Sequence, residues 1–429
     1  TLAVACWALC PSVTSLSFAS TRLSANGANT VALERLCGLL QSGHAANGAL
    51  TSINLRGNKL GGWGWGAIFA AICGNKDSKI MSMDASCENI GSAGVKLIAE
   101  ALRTSVTGGL TALDLSSNDL MDEGVSAVCE AIQSNKETKL SSLNMRANSI
   151  GPVGAKSVAA MVAVTGGLTA LNLSFNSLKD EGVNAVCEAI KSNKETKLAS
   201  LNFEDNGIGP VGAKSVAAMV AVTGALTVTN LLGNKLDEES AKMLAEVAKQ
   251  KGISLCGIRR DQTTADFRNQ GLKPPDAILL ASDLSQAVVT GALTVTNLLG
   301  NQLDAESAKM LAEVAKQKGI SLCGIQRDQT TADFSNQNLK PPDAILLASD
   351  LLQADVTGAL TKLSLASNDL KEEGTKAICE ALKQNKTLKE LDLSGYGNIG
   401  RGAAGAKHVA DMLGVNGGLT KMRYVSPQT

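Results

Sequence analysis

Apolar positions along this chain keep two alternating rhythms. Leu113 and Leu115 alternate with polar neighbours, so they share one face of a short strand. Asn118 and Leu120 follow, then Asp122-Glu123-Gly124, and Val125, Val128 and Ile132 recur at helical spacing. The pattern predicts a short strand, a turn and an acidic helix start. Beginning at Leu110, the phrase LTALDLSSNDLMDEGVSAVCEAIQSNKETK returns nearly unchanged at Leu168, 58 residues later. A second phrase, LSSLNMRANSIGPVGAKSVAAMVAVTGG, starts at Leu140 and returns at Leu198.

A fixed step of 28–30 residues is the mark of stacked supersecondary units, none of which covers its own apolar faces alone. Units start near Val13, Leu50, Ile80, Leu110, Leu140, Leu168, Leu198 and Leu226. Strands stack about 4.8 Å apart and helices about 9 Å apart, so each unit should bend the stack by roughly 20–25°. Roughly thirteen units then give a horseshoe with parallel strands on the concave face and helices on the convex face. Asn118 falls where the chain leaves the strand, and repeated copies are expected to form a buried ladder, each bond contributing about 1 kcal/mol net.

The pattern LxxLxLxxNxL, carried by Leu110, Leu113, Leu115, Asn118 and Leu120, resembles the leucine-rich repeat. The full helix after each strand resembles the long, ribonuclease-inhibitor-like type, and the duplicated blocks are similar to repeats in proteins of unicellular algae. The resemblance implies an α/β leucine-rich-repeat solenoid over residues 1–429. Residues 1–49 form an atypical first repeat and cap, with residues 1–10 (TLAVACWALC) as its helix. Residues 50–223 hold regular repeats, and 224–357 hold two near-identical 67-residue double repeats. Residues 358–429 hold the last repeats and cap.

The double repeat exceeds twice the ordinary unit by nine residues, placed around Cys256–Thr263 and Cys323–Thr330. The favoured register aligns Phe267, Gln270 and Leu272 with Leu115, Asn118 and Leu120, putting glutamine in the ladder. The weaker one uses ISLCGI as the ladder strand. Pro274-Pro275 and Pro341-Pro342 suit helix starts, where the missing N–H is harmless. Thr229, Thr296 and Glu88 depart from the pattern and should weaken packing locally.

Basic and acidic residues number 40 each, which gives no footprint for nucleic acid. No apolar run is long enough to span a bilayer. Cys129, Cys187 and Cys379 share one helical slot and Cys256 copies Cys323, too far apart for disulfides. They read as small buried thiols of a reduced, intracellular protein, with cytoplasm favoured over an organelle. Only Cys6, Cys10 and Cys37 are candidates for pairing. Asn172 and Asn385 match the glycosylation pattern by chance.

The residue between the two strand leucines should face the concave side. It reads Asn54, Asp84, Asp114, Asn144, Asn172, Asn202, Asn230, Asp266, Asn297, Asp333 and Asp392. Such a column could bind hard cations or do acid–base work, but no nucleophile surrounds it, and a solvated face is the simpler reading. Arg56, Arg146, Glu204 and Arg268 stand beside it as contact residues. Trp63 falls on an exposed slot, as a staple of its helix start or a rim anchor, while Trp65 falls in the core. Gly151–Ser157 lacks the glycine before lysine that a phosphate loop needs. His44 and His408 are too distant in register for a metal pair or triad. Ala160 and Val164 mark apolar stripes, either an exposed interface or close helix packing.

These features lead to a non-catalytic protein-binding or assembly scaffold that needs no cofactor or metal. The alternatives are an activating protein of a small GTPase, since similar repeats occur in that of Ran, and an accessory subunit of a large complex.

Overall fold

The computed structural model describes residues 12–21, 23, 30–41, 49–106, 109–395 and 403–424. The expected helix over residues 1–10, and His44, lie outside the described residues. The chain forms two compact units, residues 1–236 and 237–429.

In the first unit, strand and helix alternate: β1 Ser15–Ser17, α1 Val31–Leu40, β2 Ser52–Asn54, α2 Gly61–Cys73, β3 Ser82–Asp84, α3 Gly91–Arg103, β4 Ala112–Asp114 and α4 Met121–Ser134. They continue as β5 Ser142–Asn144, α5 Pro152–Val164, β6 Ala170–Asn172, α6 Lys179–Ser192, β7 Ser200–Asn202, α7 Pro210–Val222 and β8 Val228–Asn230. The strands make one parallel sheet in chain order. Leu113 lies in register with Met83 on one side and Leu143 on the other. Leu113, Leu115, Leu120, Val125, Val128 and Ile132 are all buried, as their two periods require.

The asparagine ladder supports this stack. The Asn118 Oδ1 accepts the Glu88 and Ile90 N–H groups at 3.0 and 3.2 Å, and its Nδ2 donates to Ala85 O at 2.7 Å. Asn148, Asn176, Asn206 and Asn234 repeat the arrangement. Glu88 takes one half of the role, accepting the Gly57 N–H at 2.6 Å, while its other oxygen is buried without a partner. Thr229 is likewise buried with an unpartnered hydroxyl.

A second ladder runs at the opposite ends of the helices. Asn75, Asn135 and Asn193 donate to Leu40 O, Leu102 O and Val162 O at 2.7–2.8 Å, covering carbonyls that helix ends leave without partners. Asp122 and Asp180 serve the other ends. Each accepts an N–H of the next helix's capping glycine, Gly151 or Gly209, at 2.6 Å.

The second unit contains α8 Glu238–Lys251, β9 Thr264–Asp266, α9 Pro274–Ser285, α10 Ala287–Thr290, β10 Val295–Asn297, α11 Ala305–Lys318 and β11 Thr331–Asp333. It continues through α12 Pro341–Leu351, α13 Ala354–Thr357, β12 Lys362–Ser364, α14 Lys371–Gln384, β13 Glu390–Asp392, α15 Ala403–Leu413 and β14 Lys421–Arg423. β9 and β10 form one parallel pair, and β11 to β14 form a separate parallel sheet. The favoured register holds, since Asp266 pairs with Asn297 and Phe267 is buried. Both proline pairs sit in the first helical turn.

The glutamines need correction. Gln270 and Gln337 occupy the ladder slot, but their amides turn back to carbonyls of their own strands, Asp266 O at 3.2 Å and Asp333 O at 3.3 Å. The added residues also do more than loop out. Ser321 and Cys323 make isolated bridges to Val295 and Asn297 beside β10. Each such segment is pinned by a buried carboxylate. Asp283 accepts the Ser254 hydroxyl at 2.7 Å and the Leu255 and Cys256 N–H groups at 2.9 and 3.0 Å. Asp350 does the same for Ser321, Leu322 and Cys323.

Candidate partner-binding surface

The residues exposed along the strands of the first unit come in columns, because a strand's side chains alternate faces. The first column is small: Ser52, Ser82, Ala112, Ser142, Ala170 and Ser200. The second is the Asp/Asn column. Its side chains are exposed or half-buried, and they also close turns. Each accepts the N–H two residues ahead: Asn54 from Arg56, Asp84 from Ser86, Asp114 from Ser116, Asn144 from Arg146, Asn172 from Ser174 and Asn202 from Glu204. The same bond closes Asp266 onto Arg268, Asp333 onto Ser335 and Asp392 onto Ser394 in the second unit. The column thus ends each strand in an Asx turn, which explains why only Asp and Asn occupy it at these positions.

Some candidate residues meet. Asn144 Nδ2 donates to Asp114 Oδ2 at 2.8 Å, and Asn230 Nδ2 to Glu204 Oε2 at 3.0 Å. The Arg146 guanidinium lies 4.1 Å from the centre of the Phe175 ring, which is 38% exposed. Neither Arg146 nor Arg56 has a carboxylate within ion-pair distance among the described residues. Arg146, half-buried, is therefore held over the ring by a cation–π contact. Phe175 was missed in the sequence because it fills a turn slot, with φ of 55°, where other repeats carry small or polar residues.

Trp63 does not join that surface. It is 56% exposed at the start of α2 and lines a groove with Leu97 of α3. Trp65 is fully buried. On the helix side, Val153, Val164, Val211 and Val222 are each more than 60% exposed, so the stripes do reach solvent.

The second unit presents a row of charge that the sequence analysis did not single out. Glu390 takes Lys362 at 3.8 Å and Lys421 at 3.3 Å, and Arg423 pairs with Asp392 at 3.8 Å. Asp333 stands beside them, and hydrogen bonds from Ser335 hold its carboxyl below the ordinary value. Among the described residues no group of three or more His, Cys, Asp or Glu is placed to hold a metal ion. The phosphate-loop-like segment at Gly151 has its N–H occupied by Asp122. The described helices include none long and apolar enough to cross a membrane.

This geometry of stacked strand–turn–helix units with an asparagine ladder defines a leucine-rich-repeat protein. The Leucine Rich repeat family model matches residues 110–129, 136–159, 168–187, 194–217 and 360–379. The chain is similar to mouse (Mus musculus) ribonuclease inhibitor, at 26% identity over 90% of this chain and 79% of that protein. NACHT, LRR and PYD domains-containing protein 5 of Bos taurus is 27% identical over 53% of this chain. RAN GTPase-activating protein 2 of Arabidopsis thaliana is 35% identical over 22% of this chain. The chain spans only 19% and 17% of the lengths of these last two. It carries leucine-rich repeats and is similar to ribonuclease inhibitor.

Proposed function

We propose that this chain is a non-catalytic scaffold that binds a protein partner through its strand faces, with Arg146 and Phe175 as the anchor. The observation that carries this reading is their pairing: an exposed aromatic ring under an arginine that lacks a carboxylate of its own. Arginine and aromatic side chains dominate the energetics of protein interfaces. The Asp/Asn column, occupied in closing turns, supplies the rigid floor that keeps the anchor in place. Arg56 and, in the second unit, Arg268 are secondary contacts, while Trp63, in its helix-side groove, lies outside this surface. Balanced charge speaks against nucleic acid as the partner. Unpaired thiols at eight described cysteines suit a reducing compartment, such as the cytoplasm.

The reading is tested by affinity purification from the native source with quantitative mass spectrometry. A partner retained by the wild type and lost with Arg146→Ala or Phe175→Ala supports it. Equal retention by both variants contradicts it.

The similarity to RAN GTPase-activating protein 2 favours a second reading, an activating protein of a small GTPase. Unchanged nucleotide hydrolysis in a purified assay would end that idea. An accessory subunit of a large assembly, organellar included, would instead co-purify in stoichiometric amount.

A further inference from the structure

Hydrogen bonding divides the Asp/Asn column of the first unit into closed and open positions. At two flanks an amide is answered by a carboxylate: Asn144 Nδ2 donates to Asp114 Oδ2 at 2.8 Å and Asn230 Nδ2 to Glu204 Oε2 at 3.0 Å. Between these pairs stand Asn172 and Asn202, in register with Asn144 and with each other across β5, β6 and β7. Each Oδ1 accepts a turn N–H, from Ser174 at 3.0 Å and from Glu204 at 2.9 Å, so each Nδ2 is the end left over. Neither Nδ2 has a hydrogen-bond partner among the described residues.

Arg146 belongs to the same spot. It follows β5, and its guanidinium rests 4.1 Å from the centre of the Phe175 ring, which follows β6. Adjacent strands lie about 4.8 Å apart, so the guanidinium and the two amides share a patch roughly two strand spacings wide. All three groups are donors. A half-buried cation beside two unanswered amides calls for an acceptor that carries negative charge.

We propose that this patch recognises a carboxylate from an acidic segment of the protein partner, one Asp or Glu side chain bound by Arg146 and by the Asn172 and Asn202 amides. The proposal rests on the scaffold reading and names the chemistry that its anchor takes. The planar guanidinium matches a planar carboxylate, and the amides add neutral donors at strand spacing. A single negative charge fits here better than two. Asp114 lies on the strand before β5, and Glu204 and Asp205 follow β7, so acidic groups stand on both sides of Arg146. The second charge of a phosphate group would be repelled by them, whereas a carboxylate is neutralised by Arg146 alone.

The test uses the full chain with para-fluorophenylalanine at position 175, read by fluorine NMR as the end-blocked pentapeptide Gly-Leu-Glu-Leu-Gly is titrated in. Two twins of the peptide carry glutamine or phosphoserine in place of glutamate. The second tool is the double variant Asn172→Asp/Asn202→Asp. It keeps the oxygens that close the turns, as Asp84 and Asp114 do in their own repeats, and replaces both donors with negative charge. The fold should therefore persist, as the thermal midpoint will show. The proposal expects a saturable shift with the glutamate peptide, and binding weaker by about tenfold or more for both twins and for the double variant. It is overturned if no saturable shift appears, if either twin binds as well, or if the double variant binds like the wild type. Partner capture separates the two readings. A partner lost with Arg146→Ala but kept by the double variant leaves the scaffold anchor standing and removes the carboxylate site, whereas one kept by both removes both.

Discussion

Asn148 closes the backbone of Asn118, one repeat away, on the buried side of the first unit. Its Oδ1 accepts the Asn118 N–H at 3.0 Å and the Leu120 N–H at 3.3 Å, while its Nδ2 donates to Leu115 O at 2.9 Å. Asn148 is fully buried, so truncation strands several backbone groups away from water. Each costs about 1–3 kcal/mol. Asn148→Ala should therefore lower the stability of its unit by roughly 3–5 kcal/mol in denaturant titration. Gln270→Ala, at a ladder slot whose side chain is exposed and bonds only its own strand, should cost less than about 1 kcal/mol.

The buried Asp283 and Asp350 give the second unit a pH dependence. Burial pushes each carboxyl up to about 6, against the opposing pull of its hydrogen bonds from serine, cysteine and backbone donors. A folded pKa above the unfolded one means the protonated form is favoured by folding. That contribution is full below the ordinary carboxylate range and is lost as pH rises through about 6. A carboxyl raised from its ordinary value to about 6 corresponds to on the order of 3 kcal/mol at each site. Between pH 4 and 7 the wild type should lose stability relative to the Asp283→Asn/Asp350→Asn variant, measured by denaturant midpoints at each pH. Parallel curves would show that these carboxyls titrate at their ordinary values.

The turns between strand and helix store strain that glycine can release. Met121 has a φ of 57° and is 50% exposed, while Gly61 and Gly91 hold the same slot in two other repeats. A left-handed conformation costs an L residue roughly 1–2 kcal/mol, partly offset by the greater unfolded freedom of glycine. Met121→Gly should stabilise the first unit by about 0.5–1 kcal/mol. Met121→Val should destabilise it, since a β-branched side chain fits this region worst.

The repeat was legible because its leucines and ladder asparagines recur at offsets that only one strand–turn–helix unit satisfies. Other features hid in segments whose composition misleads. Asn135 and Asn193 sit in SNKETK, which reads as a solvated loop, yet their amides cap the helix of the repeat before. Asp283 ends an apolar run and looks like a helix reaching water, whereas it is fully buried against a segment 29 residues earlier. The Asp/Asn column was read from its slot between the strand leucines, but the turn-closing bond that each side chain accepts was not legible. A carboxylate that accepts a neighbouring N–H and one that faces solvent have the same sequence. Phe175 depends on a turn conformation, and that is not written in periodicity.

The most direct test of the scaffold account places a photo-crosslinking phenylalanine analogue at position 175, in the full chain expressed in its native source. The account predicts an adduct with one protein in near-stoichiometric yield, lost when Arg146→Ala is added. The same analogue at Val222, on the exposed helix side, should give none. An adduct from position 222 and none from 175 would contradict the account and move the binding surface to the helices.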